Sequence, residues 1–232
     1  MKLMKKALTL AILVSAALQL GGCAASYQAR SVDLKSTLVN PDILKKGADD
    51  QVLYRYMNPQ FKARNYTKVM IDPVLIRKDG ELGKEDLENY QKLANNAFVY
   101  LKQELQKGNE IVSAPEPGTM RVQMAITDAD SSKPVRNTLS TVFPIAMAVS
   151  VVKVAATGKQ SGVGEITAEL KVTDAVTGEL LAAALDRRVG GKELSTLWST
   201  WANADASLKF WAQKLSYAFC MDRGGTNCVK PE

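Results

Sequence analysis

Apolar residues recur along this chain with two periods, and the periods predict the elements. From Lys68 to Ile76, Val69 and Ile71 alternate with Lys68, Met70 and Asp72, the period of a strand. Pro73 removes a ladder donor and predicts an edge or a bulge. From Lys84 to Lys107 the spacing turns helical, with Leu87, Tyr90, Ala94, Ala97, Leu101 and Leu105 on one face. Glu85 and Asp86 in the first turn and Lys107 in the last suit the helix dipole, and Gly108 is a natural stop. Glu110–Ala114 predicts a short strand. Met120, Val122, Met124 and Ile126 alternate with Arg121, Gln123 and Ala125 as a half-buried strand. Val163 to Thr173 repeats that pattern: Ile166, Ala168, Leu170 and Val172 share one side, and Glu165, Thr167, Glu169 and Lys171 the other. A turn from Asp174 to Gly178 leads into Glu179–Val189 as the hairpin partner. The last helix is expected from about Leu194 to Met221, on Leu197, Trp201, Ala204, Leu208, Trp211, Leu215 and Ala218. Its Trp-bearing face reads as core rather than as a ligand platform.

No internal repeat or low-complexity stretch interrupts this order. It predicts an α+β fold: a small, mainly antiparallel sheet with two long amphipathic helices packed on one face. An apolar helical insertion completes the expectation, at Thr138 to Ala156. Val142 to Val152 contains one Pro and one Ser before Lys153 breaks the run. This is too short to span a bilayer. Two readings stay open: a buried helix or helix–strand element, and an exposed apolar surface meeting lipid or a second subunit.

The N-terminus has a different pattern. Lys2, Lys5 and Lys6 precede Ala7–Leu20, an almost wholly apolar run, and Leu20-Gly21-Gly22-Cys23 follows. A basic region, a short apolar run and a small-residue cleavage zone make an export signal. Fourteen helical residues reach about 21 Å, short of the roughly 30 Å hydrocarbon core. The ending resembles the lipobox of bacterial lipoproteins. That resemblance implies a diacylglycerol thioether on Cys23, cleavage before it and acylation of the new amine. An ordinary secretory signal with an incidental cysteine is the alternative. Ala24 rather than Asp follows the cysteine, which in enterobacterial lipoproteins resembles export to the outer membrane. The expected organisation is a signal peptide at 1–22, a lipidated N-terminus and tether at 23–50, and one periplasmic domain at 51–232. Val32, Leu34, Leu38, Val39, Ile43 and Leu44 imply that part of the tether packs on the domain.

Composition then narrows the chemistry. The chain has 232 residues, 30 Lys+Arg, 24 Asp+Glu and no His. Loss of residues 1–22 removes three lysines and no acid, so +6 becomes +3. The remaining basic residues are interleaved with acids, whereas nucleic-acid binding needs a clustered footprint; no nucleic-acid partner is expected. Without histidine, Ser-His-Asp, Cys-His and HExxH zinc arrangements are excluded. With Cys23 assigned to lipid, Cys220 and Cys228 remain, eight apart, in an oxidising compartment. A disulfide is expected there, with two free thiols as the alternative.

Other candidates fail on spacing. Asp128 to Ser132 opens like a calcium loop, but Lys133 and Leu139 stand where an EF-hand needs Gly and Glu. Gly158-Lys159 and Gly190-Gly191-Lys192 lack the rest of a phosphate loop. Asp186-Arg187-Arg188 reads as a surface ion-pair cluster, with an anion contact as the alternative. No catalytic residue, metal site or cofactor is assigned.

Tyr66–Val74, Ala125–Asp130, Asn137–Val142 followed by Pro144, Asp174–Arg188, and the helix carrying Trp201 and Phe210-Trp211-Ala212 together resemble the DUF3313 family of bacterial lipoproteins. The resemblance implies a membrane-anchored periplasmic domain, but no activity and no site residues; the Cys220–Cys228 pair is no part of it. The expectation is a non-enzymatic outer-membrane lipoprotein, joined to the membrane by its N-terminal acyl chains. Its domain would bind or scaffold, with an envelope protein or a second copy of the chain as partner. Two alternatives remain: a lipid- or glycan-handling accessory protein or carboxylate-based hydrolase, and a self-assembling structural subunit.

Overall fold

The computed structural model describes residues 26–29, 31, 32, 34, 36, 38–79, 84–127, 138–142, 165–190 and 200–231. The strands are β1 Ser26–Gln28, β2 Lys45–Lys46, β3 Tyr54–Met57, β4 Lys68–Ile71 and β5 Leu75–Asp79. They continue as β6 Glu110–Val112, β7 Thr119–Thr127, β8 Thr138–Val142, β9 Glu165–Asp174 and β10 Leu180–Gly190. Helix α1 spans Lys84–Leu105 and α2 spans Thr200–Asp222. All ten strands join one sheet, in the order β2-β3-β10-β9-β7-β4-β6, with β1 beside β10, β5 beside β7 and β8 beside β5.

The fold is α+β, but the sheet is larger than expected and mixed. β4 runs parallel to β6 and β7, and β5 runs parallel to β7. The cause is α1, which lies between β5 and β6. A strand–helix–strand passage returns the chain to its starting end, so the flanking strands align. The remaining described pairs are antiparallel, among them the β9–β10 hairpin. Gly178 turns that hairpin at a φ of 73°, a backbone region glycine enters without steric cost.

The strand expected over 68–76 is split at Pro73. Ile71 pairs with Val122 and Leu75 with Ala125, so four steps on one strand match three on β7. Asp72 holds this bulge. Its amide donates to Val122 O at 2.9 Å. Its carboxylate accepts from Arg121 Nε and from Gln123 Nε2, each at 2.9 Å.

The insertion expectation is corrected where it can be compared. Thr138–Val142 is a strand paired antiparallel with β5 rather than part of a helix; positions 143–156 lie outside the described residues. α1 buries Tyr90, Leu93, Ala94, Ala97, Leu101 and Leu105. Leu87, expected on that face, is 37 % exposed, and Leu93 takes its place. α2 buries Ala204, Leu208, Trp211, Ala212, Leu215 and Phe219, while Ala218 is exposed. Leu197 lies outside the described residues. Trp201 is partly buried and meets Tyr90 edge-on, with ring centroids 5.1 Å apart. These helical side chains share one core with Ile166, Ala168, Leu170 and Val172 of β9.

A second, smaller core contains Leu44, Ala183 and Leu185, packed against Val32, Val39, Ile43, Tyr54 and Tyr56. Val32, Val39, Ile43 and Leu44 of the expected tether thus pack on the domain, whereas Leu34 is exposed. β1 and β2 add strands to the sheet, and the 36–39 segment reaches Glu169. That carboxylate is 1 % exposed and accepts from Ser36 Oγ at 2.8 Å and Leu38 N at 3.0 Å.

Candidate functional site

Cys23 lies outside the described residues. Cys220 and Cys228 are joined in a disulfide, with Cα atoms 5.7 Å apart. Their bond folds the tail back against the last turn of α2. Gly225 sits inside this loop because nothing larger fits: a Cβ there would lie 2.7 Å from Cys220 Sγ and 2.9 Å from Cys228 Sγ.

The folded-back tail forms one wall of a groove of about 830 Å³ along α2. The end of α1 and Arg188 of β10 complete its lining. Its charge is one-sided. Lys107, Arg188, Lys209, Arg223 and Lys230 line it against Glu104, the single acid among the described lining residues. Glu104 is already paired with Lys107, whose Nζ lies 2.6 Å from its carboxylate. The overall charge of the chain gave no sign of this clustering, because the five cations come from four separate stretches of sequence.

Each cation has a different setting. Arg223 is a clamp. It donates to Ala63 O at 3.2 Å, Gly108 O at 2.9 Å and Tyr66 O at 3.0 Å, and also to Asn109 Oδ1. Its position just past α2 also suits the negative end of the helix dipole. Arg188 stacks on Phe210, with Cζ 3.7 Å from the ring centroid, an arrangement that favours guanidinium over ammonium. Burial lowers its pKa, and the nearby Asp186 carboxylate works against that shift. Lys214 approaches the same ring at 5.6 Å and donates to Asp50 O at 2.7 Å. Burial lowers its pKa as well, opposed by Asp186 and assisted by Arg188. Lys209 and Lys230 are exposed at the groove.

The surface reading of Asp186-Arg187-Arg188 is corrected. Asp186 is 3 % exposed and Arg188 is 6 % exposed. β3 and β1 pair with successive parts of the same side of β10, through Leu185 and from Arg188. Asp186 stands at the gap between them. Its Oδ1 accepts from Leu53 N at 3.1 Å and Gln28 Nε2 at 2.7 Å, and its Oδ2 accepts from Trp211 Nε1 at 2.8 Å. The carboxylate supplies acceptors where the ladder changes strands, and it ties that junction to α2. Arg188, two residues on, is delivered to the groove by the same strand.

Chemically the groove can hold an anion between ammonium and guanidinium groups, beside an aromatic ring. The buried carboxylates Asp186 and Glu169 are engaged by structural donors, and neither lines the groove.

Two crystal forms of the PelC dodecamer from Paraburkholderia phytofirmans, one of a substituted variant, are similar to this chain at 11 % identity. Each comparison covers 75 % of this chain and 96 % of the PelC chain, with TM-scores of 0.35 and 0.36. No curated protein matches the sequence. The model of a protein family of unknown function, DUF3313, matches residues 34–215, and the chain is a member of that family.

Proposed function

We propose that this chain is a lipid-anchored lipoprotein of the outer membrane, with a non-enzymatic periplasmic domain that binds an anionic component of the envelope. The anchor reading is supported by the order of basic residues, short apolar run, small residues and Cys23. Three acyl chains on that cysteine would hold the protein stably at the membrane, since two already anchor stably. The observation that carries the binding reading is the groove, where cations from β10, the turn after α1, α2 and the tail converge. A binding role fits its contents better than hydrolysis does. Carboxylate-based hydrolysis needs two acidic groups facing a cleft, and among the described residues this groove is lined by one acid, Glu104, already held by Lys107.

Metabolic labelling with a palmitate analogue tests the anchor. The wild-type chain is expected to take up label and to fractionate with the outer membrane, and Cys23→Ser to lose both. Label that survives the substitution overturns the anchor. Envelope cross-linking from a photoreactive residue in place of Gln213, an uncharged residue of the groove, tests the binding role. Reproducible absence of any adduct, in cells where the protein is present and folded, overturns it.

A further inference from the structure

The groove lies close, along the chain, to the expected anchor. Arg188 is the register partner of Gln28 in the β1–β10 pair. Gln28 follows Cys23 by five residues. Five peptide steps and one strand spacing together reach at most about 23 Å. This inference rests on the lipid-anchor reading: with Cys23 acylated, the strand that carries Arg188 cannot lie farther than that from the lipidated residue. At that range the domain meets the headgroup layer, where anionic lipids set up a negative potential. Lys209 and Lys230 stand exposed in the same groove, and Val229, next to Lys230, is 84 % exposed.

We infer that the groove is a second membrane contact, taking the phosphate of anionic phospholipids from the leaflet that holds the anchor. Lys209, Lys230 and the Phe210-stacked Arg188 supply the charge, and Val229 meets the boundary between headgroups and acyl chains. The acyl chains already supply stable anchoring. The consequence of this contact is therefore orientation, not affinity: it fixes which face of the domain looks into the periplasm.

The test uses the full lipidated protein, reconstituted into vesicles of phosphatidylcholine alone or of equal parts phosphatidylcholine and phosphatidylglycerol. Amine acylation rates at Lys209 and Lys230 are read by mass spectrometry against Lys92, an exposed α1 residue outside the groove. A basic side chain near an anionic surface gains about fivefold in its local equilibrium. Both groove lysines are expected to react about fivefold more slowly in phosphatidylglycerol vesicles, with Lys92 unchanged. Equal rates in the two vesicles overturn the inference. A third arm adds inorganic phosphate to phosphatidylcholine vesicles; protection as strong as that by phosphatidylglycerol assigns the groove to a soluble anion and overturns the headgroup assignment. Flotation separates the two levels of the reading. Protein that floats with neither vesicle fails the anchor, whereas protein that floats with both at equal rates fails the groove alone.

Discussion

The Trp211 indole donates to Asp186 Oδ2 at 2.8 Å, from the middle of α2 to the point on β10 where β3 ends and β1 begins. The other oxygen of the same carboxylate accepts from Leu53 N and Gln28 Nε2. One buried acid of β10 therefore joins β1, α2 and the residue before β3 through three donors. Asp186→Asn turns one acceptor into a donor that must face another donor. A buried polar group left unsatisfied costs about 1–3 kcal/mol. Urea unfolding is expected to show Asp186→Asn destabilised by about 2–3 kcal/mol, and Trp211→Phe by less. Wild-type stability in Asp186→Asn would contradict this role.

Arg223 fastens α2 to the loops at 63–66 and 108–109 through neutral acceptors. Its partners are carbonyl groups, so lysine cannot replace the planar fork. Arg223→Lys is expected to lose about 1–2 kcal/mol, given partial exposure and net values of about 1.5–3 kcal/mol for hydrogen bonds to charged groups. Hydrogen exchange at the amides of Ala63 to Tyr66 is expected to accelerate in the same variant.

The disulfide closes a short loop, and removing it with Cys220→Ser plus Cys228→Ser is expected to cost about 2.5 kcal/mol in the chain-entropy description. Gly225→Ala places a methyl group against both sulfurs. Thiol titration under native conditions is expected to find a larger reduced fraction in Gly225→Ala than in wild type at the same redox poise. An unchanged fraction would show that the tail can shift to accept the methyl group.

Asp174 accepts from Thr177 N at 2.8 Å, Val176 N at 2.9 Å and the Tyr66 hydroxyl at 3.2 Å. The Thr177 amide is the main reason its carboxyl titrates below the ordinary 3.8, with burial opposing. A carboxyl whose folded pKa is depressed contributes its full stability above the unfolded value. That contribution is lost as pH falls from 3.8 through the lower folded value. Tyr66 behaves in the opposite sense: burial first, then its bond to Asp174, pushes it up to about 12. Its contribution is complete below its ordinary value of 10.0 and disappears as pH rises through about 12. Asp174→Asn is expected to flatten the acid limb of stability against pH, and Tyr66→Phe the alkaline limb, each measured by urea midpoints across the range.

Most elements were legible from local pattern. β7, β9 and α1 fall within a few residues of their expected limits because each repeats one period long enough to declare which side is apolar, and β10 does so because the Asp174–Gly178 turn marks it as the hairpin partner of β9. The last helix is described from Thr200, later than the expected start near Leu194, whose first residues lie outside the described part. Leu87 misled because it fits the helical stripe, yet it lies in the first turn of α1 and is exposed there. Leu93 is buried one step off the stripe because the packed face is wider than a single line of residues. β4 and β5 read as one strand, with Pro73 correctly marking the bulge.

The alternation along β9 by itself placed Ile166, Ala168, Leu170 and Val172 on one side and Glu169 on the other. A period of two is a property of the backbone and needs no partner. Cys220 and Cys228 likewise paired as their count and spacing implied. What covers each side is a different matter, decided only in the tertiary structure. Glu169 is buried because Ser36 and Leu38, more than 130 residues away, close over it. Asp186 is buried because β1, β3 and α2 meet there, and five scattered cations become one groove because α2 and its stapled tail lie beside β10. Such burial depends on contacts between distant segments. A charged residue carries no local mark of whether donors will arrive to make its burial tolerable.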